Sequence, residues 1–245
     1  MEYYRLPLYI LFGVLPSLAW LFYYLKKDLN PEPKKMIVKV FFYGALITIP
    51  TFFLQITLVN LLEQLHFLNL SPFIIEILKW FIIIALTEEF LKYLVVRLAV
   101  FNSSEMDEPL DVMLYMVVSA LGFTAVENVL YLFSPIDNIS FQSIIKTAVT
   151  VSFIRFIGAT FLHTLCSALF GYFLALSFIR SKNKVMLSLT GLFLATFLHG
   201  LYNFSIIVLR GPWNFIIPII VILGLIIFMT YDFDEIKKIK SICKI

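Results

Sequence analysis

The chain has 245 residues, 61% of them hydrophobic and 14% charged, with a formal net charge of +3 and a mean hydropathy of +0.94. Its apolar runs reach about 18 to 25 residues, the length that spans the ~30 Å hydrocarbon core of a bilayer, so a water-soluble domain is excluded and an all-α, polytopic transmembrane helical bundle is expected. The charge is too small and too scattered to serve nucleic acid, and two cysteines, Cys166 in an apolar run and Cys243 in the tail, make neither a disulfide framework nor a CxxC metal site.

The first run, 6–25, has little positive charge before it and ends in Lys26 and Lys27 rather than at a small-residue cleavage site, so it reads as an anchoring span and not a signal peptide. Further spans are predicted near 37–61, 72–101, 110–133, 159–179, 185–209 and 213–231, about seven in all. The third is longer than a perpendicular crossing needs, which predicts tilt or protrusion. Segment 141–158 is apolar but carries Lys146 and Arg155 and follows the turn signal "SPIDN". The basic residues after span one (Lys26, Lys27, Lys34, Lys35), after span five (Arg180, Lys182, Lys184) and in the tail (Lys237, Lys238, Lys240, Lys244) share one side only under one arrangement. The N-terminus lies outside, seven spans cross, and 141–158 is a re-entrant or surface helix on the outer side. The expected location is the cell membrane, multi-pass, with the C-terminus in the cytoplasm. The acidic loop "NSSEMDEP" also falls inside and does not add support, although acidic residues weigh little in this rule. Gly122, Gly158, Gly171, Gly191 and Gly200 sit in or beside spans and predict close helix packing.

An ionisable side chain near the centre of a span costs roughly 2.5 to 3.5 kcal/mol, and such groups usually face a bundle interior or a wet cavity. The third span holds "LTEEFLKYLVV", with Glu88 and Glu89 adjacent and Lys92 one turn on. An internal ion pair between Glu88 and Lys92 explains one glutamate but not two, because neighbours point about 100° apart on a helix. "GFTAVENVLY" in the fourth span contributes Glu127 and Asn128, "GATFLHTLCSALFGY" contributes His163 with Thr160 and Ser167 on its face, and "FLHGLYNF" contributes His199 and Asn203 four apart. A lone histidine in a helix is usually a satisfied core residue; here two of three lie in spans beside isolated carboxylates. His66 falls in a loop and receives no role. At about 1.5 Å per residue, Glu127, His163 and His199 lie roughly 5 to 17 Å below the outer surface and Glu88 near mid-membrane, so four helices could surround one cavity.

Carboxylates with histidines are the equipment of general acid–base catalysis. A glutamate can take a proton from water, which then attacks a peptide carbonyl, while a histidine and an amide stabilise the oxyanion. Neither a GxSxG elbow nor an HExxH motif is present. Two histidines and a carboxylate could also hold zinc with water in the open position, and the spacing neither requires nor excludes it.

At these motifs the chain resembles the PrsW family of intramembrane proteases, within the wider superfamily of CAAX-prenyl endopeptidases and abortive-infection proteins. "KKDLNPEPKKM" is similar to the family's Pro-Glu-Pro loop, "EEFLK" to its EExxK motif, "GFTAVENVLY" to its FxxxEN segment, and "FLHTLCSALFGYFLA" to its histidine followed by a small-residue helix. "FLHGLYNF" matches the HGxxD motif except that Asn203 stands in place of aspartate, as is common in the superfamily. The resemblance implies that residues 1–245 form one integral-membrane protease domain. It would cut a single-span protein of the bilayer, in the manner of an anti-sigma factor, near the outer face. The implied catalytic set is Glu88 activating water, Glu89 supporting it, Glu127 and His163 lining the site, and His199 with Asn203 polarising the carbonyl. Glutamate-activated water needs no cofactor, and none is expected, although older classifications of the superfamily invoke a metal. Two rival readings are a non-catalytic scaffold, as in the gamma-secretase subunit of the same superfamily, and a proton-coupled transporter. The transporter is disfavoured because no paired, interrupted spans suggest inverted repeats.

Overall fold

The computed structural model describes residues 5–27, 31–64, 69–103, 106, 108–133, 141–179 and 183–236. His66, the "SPIDN" turn, Arg180, Lys182 and the tail with its lysines and Cys243 lie outside the described residues. Among the described residues every regular element is helical. They are α1 (Arg5–Lys27), α2 (Lys34–Gln64), α3 (Pro72–Ile77), a π-helical segment (Leu78–Leu86), α4 (Thr87–Ala99), α5 (Pro109–Leu132), α6 (Phe141–Ile157), α7 (Ala159–Ile179), α8 (Lys184–Ile207) and α9 (Trp213–Ile236). The predicted spans fall on these helices to within a few residues.

Length and apolar composition qualify six stretches to cross a membrane: Arg5–Lys26, Lys34–Gln64, Leu110–Leu132, Gln142–Ile179, Lys184–Ile207 and Trp213–Tyr231. The run from Pro72 to Ala99 is not among them. Its winding changes at Leu78 and again at Thr87, and it carries Glu88, Glu89 and Lys92. Backbone at both junctions stays in the right-handed helical region, so α3, the π segment and α4 form one continuous rod. The stretch Gln142–Ile179 has 38 residues. At about 1.5 Å per residue it would far exceed a ~30 Å core if straight. It breaks at Gly158, which separates α6 from α7.

α5 and α7 form the centre. The core of the α5 span is 78% buried, against 22% for α1 and 17% for α9. The peripheral helices instead present bulky apolar side chains outward, among them Phe53 at 62%, Val185 at 72% and Phe215 at 69% exposure. In water so large an apolar surface would drive aggregation; in a bilayer it is the lipid-facing belt.

Small residues set the spacing of the core. A Cβ at Gly122 would come within 2.0 Å of the Phe41 carbonyl oxygen, and one at Gly44 within 2.2 Å of the Ser119 carbonyl oxygen, so α2 and α5 meet backbone to backbone. Thr48 adds a hydrogen bond to the Phe123 carbonyl at 3.2 Å. Gly200 lets Phe81 of the π segment lie flat on α8, where a Cβ would approach its ring to 2.7 Å. These contacts deliver α4, α5, α7 and α8 to one buried polar centre.

Candidate active site

The centre of that bundle holds Glu88, Glu89 and Lys92 from α4, His163 and Ser167 from α7, and His199 from α8, all buried. Lys92 lies three residues after Glu89 and four after Glu88, and Ser167 four after His163, spacings that put each pair on one helix face. Sequence alone could place them on faces; the packing of α5, α7 and α8 turns those faces toward each other.

Glu89 is fully committed. Its Oε1 accepts from Lys92 Nζ at 2.8 Å and lies 2.9 Å from His199 Nδ1, while Oε2 accepts from Ser167 Oγ at 3.2 Å. Lys92 Nζ also donates to His163 Nδ1 at 2.5 Å and lies 4.8 Å from the centre of the Phe123 ring. An ammonium can only donate, so His163 Nδ1 accepts and its hydrogen sits on Nε2. That Nε2 is 3.3 Å from Glu127 Oε2.

Glu127 lies at the more open edge, its side chain 20% exposed where that of Glu89 is 0%. Arg155 of α6 donates to Glu127 Oε2 at 2.8 Å and, through Nε, to Asn128 Oδ1. Its guanidinium lies 3.9 Å from the centre of the Tyr131 ring. Asn128 Nδ2 in turn donates to the Gly13 carbonyl and to Thr160 Oγ1, both at 3.1 Å, tying α1, α5 and α7 together. Three carboxylates thus meet two cations, with Lys92 closest to Glu89 and Arg155 on Glu127. Glu88 makes the longer of the two Lys92 ion pairs, its Oε2 standing 3.8 Å from Lys92 Nζ where Glu89 Oε1 stands at 2.8 Å.

Glu88 is held differently. Its Oε1 accepts from Gln55 Nε2 of α2 at 3.0 Å. Its Oε2 is buried with no hydrogen-bond partner among the described residues, and so is His199 Nε2. These two atoms are 3.8 Å apart. The Nδ1 contact of His199 with a carboxylate places its hydrogen there, leaving Nε2 as a bare lone pair. Two desolvated acceptors facing each other call for a group that satisfies both, a water with two O–H donors or a cation.

Glu88, His163 and His199 offer ligand atoms within 4.8 Å of one another. A carboxylate and two imidazoles suit zinc with one position open, and the two orphaned acceptors fit that use. His163 Nδ1 would have to be released by Lys92 to join them.

Of the predicted site residues, Glu88, Glu89, Glu127, His163 and His199 converge. Asn203 is half-buried one turn beyond His199 on α8. Sequence reading missed three participants. Gln55 is legible as one of two amides, with Asn60, in the apolar span 37–61, and Arg155 as an arginine three residues before a glycine. Ser167 was noted only as a neighbour of His163.

Fold and site together define a polytopic membrane protein with acid–base machinery sealed between its spans. The family model for the PrsW family intramembrane metalloprotease matches residues 32–231. Among curated proteins, Protease PrsW of Oceanobacillus iheyensis is 32% identical over 87% of this chain and 90% of its own. That of Clostridioides difficile is 29% identical over 96% and 92%, and that of Bacillus subtilis 28% over 86% and 88%. No solved structure matches. The chain belongs to the PrsW family of intramembrane proteases.

Proposed function

We propose that the protein hydrolyses a peptide bond in a single-span, anti-sigma-factor-like membrane protein, with Glu88 as the base that activates water. The observation that supports this is the facing pair Glu88 Oε2 and His199 Nε2, buried, unpartnered among the described residues and 3.8 Å apart. A water donating to both atoms is held at one point in a low-dielectric site. Glu88 Oε2 takes its proton, the oxygen attacks the scissile carbonyl carbon, and the same proton passes to the leaving nitrogen as the C–N bond breaks. Glu89 cannot do this, because Lys92, His199 and Ser167 occupy its oxygens. It orients His199 instead. The bare Nε2 makes His199 a water holder, which leaves the donor role toward the oxyanion to Asn203. Glu127, fixed by Arg155, holds His163 at the entrance.

A second reading draws on the Glu88, His163 and His199 donor set and on the family's description as metalloproteases. A divalent ion held there would supply Lewis-acid polarisation of a carbonyl oxygen. In either case the whole chain acts as one integral-membrane unit, with its N-terminus outside, its C-terminus cytoplasmic and α6 a re-entrant or surface helix on the outer side. The motif set also supports placing it in the superfamily of CAAX-prenyl endopeptidases and abortive-infection proteins.

The test is cleavage of a tagged single-span reporter by the purified protein, with and without chelator, beside Glu88→Gln. Loss of cleavage in Glu88→Gln with an unchanged melting temperature is expected. Equal cleavage by both proteins would refute the assignment. A scaffold, by contrast, would cleave nothing and would melt lower in the variant.

A further inference from the structure

The buried face of α2 is a regular stripe, Ile37, Val40, Gly44, Thr48 and Thr51, spaced to lie along one side of a helix. The stripe continues through Gln55, Leu58 and Leu62, yet none of these is buried, and from Phe52 to Gln64 α2 buries no residue at all. Packing against α5 therefore stops one turn before Gln55. The gap opens level with Glu88, which Gln55 touches, and α5 beyond Phe123 presents Glu127, Leu130 and Tyr131 with partial exposure. Pro50 sits at the boundary and removes one backbone hydrogen bond there.

Gln55 is the polar group standing in this gap. Its Nε2 lies within hydrogen-bond distance of Glu88 Oε1 at 3.0 Å, Thr87 Oγ1 at 3.3 Å and the Ile84 carbonyl at 3.4 Å. Among the described residues nothing donates to its Oε1. An amide within a span is costly unless it is paired, so Oε1 of the half-buried Gln55, on the bundle side of α2 and without a donor, is suited to a ligand's N–H. Holding Glu88 by Oε1 also leaves Oε2 as the oxygen that faces His199.

Resting on the proteolytic reading above, we propose that the C-terminal half of α2 borders the lateral entry for the substrate's membrane segment. Gln55 is its positioning residue: Nε2 fixes Glu88, and Oε1 accepts a backbone N–H of the incoming chain. The occupant is an unwound stretch of a membrane-spanning peptide, because in the interior of a spanning helix every backbone N–H is already bonded within the helix and an unwound stretch frees them to donate. The exposed Phe52, Phe53, Leu54 and Ile56 flank it with apolar surface suited to a hydrophobic segment.

Gln55→Leu and Gln55→Met keep the bulk and remove the amide. On the single-span reporter each should raise KM and lower kcat, together a loss of about tenfold to a hundredfold in kcat/KM, the range for one hydrogen bond to a charged group. The melting temperature in detergent should fall only slightly, because Glu88 Oε1 loses its donor while the bundle loses an amide that is costly inside a span. In the Glu88→Gln background, a photo-crosslinking residue placed at Phe52 or Ile56 should capture the reporter, while one at Phe193 on the lipid face of α8 should not. Wild-type kinetics in both Gln55 variants, or equal capture from Phe193, would overturn the proposal and leave the protease reading intact. A wild-type protein that cuts no better than Glu88→Gln would overturn both.

Discussion

The adjacent glutamates of α4 carry the same chemistry and opposite duties, and hydrogen bonding separates them. Glu89 neutralises Lys92, whose side chain is 0% exposed. Removing one partner of such a pair leaves an uncompensated charge, which costs about 3 to 5 kcal/mol. Glu89→Gln should therefore lower the melting temperature sharply as well as abolish cleavage, and thermal denaturation in detergent reads the difference. Glu88→Gln should abolish cleavage and leave melting unchanged, since its working oxygen accepts no hydrogen bond among the described residues and Lys92 keeps its closer partner Glu89. Arg155 belongs with Glu89. Arg155→Ala frees Glu127 and Asn128 together, so activity should fall at least tenfold, and Arg155→Lys should recover only part of it, because an ammonium lacks the forked geometry that reaches both acceptors. The identities of five site residues were legible as charges where a bilayer disfavours them. Their division of labour was not, because it depends on which oxygen meets which donor across helices far apart in sequence.

Helix boundaries were legible too, since unbroken apolar runs and their flanking charges mark them directly. The π-helical winding at Leu78–Leu86 was not, for "LKWFIIIAL" reads as ordinary apolar helix. Wider turns of this kind cluster at functional sites, and this one ends two residues before Glu88. The small residues were readable as packing positions but not by partner. Gly122→Ala forces a Cβ to 2.0 Å from the Phe41 carbonyl oxygen, so α2 and α5 must separate. A loss of about 1 to 3 kcal/mol is expected, the usual cost of overpacking. Gly224→Ala in α9 meets nothing within 4 Å and should be neutral or stabilising by up to about 1 kcal/mol, through helix propensity. Melting of the two variants side by side checks whether contact or propensity governs.

For the molecule as a whole, the donor set leaves one global question that a bulk measurement answers. If Glu88 works through water alone, exhaustive chelation should leave cleavage intact and elemental analysis of active protein should find less than one equivalent of divalent metal. Loss on chelation with recovery on adding zinc would select the reading with a bound ion. Beyond catalysis, the centre governs how the protein is made. The rod from Pro72 to Ala99 emerges from the ribosome with Glu88, Glu89 and Lys92 in its second half, while His163, Ser167 and His199 are still untranslated. Until α7 and α8 arrive, the α4 charges have each other, Gln55 and the Phe123 ring of α5, and lack both histidines and Ser167. Stable integration of the rod must wait for the second half of the chain. A version truncated after Ile179 would lack His199, and membrane surveillance proteases should clear it faster than the full-length protein.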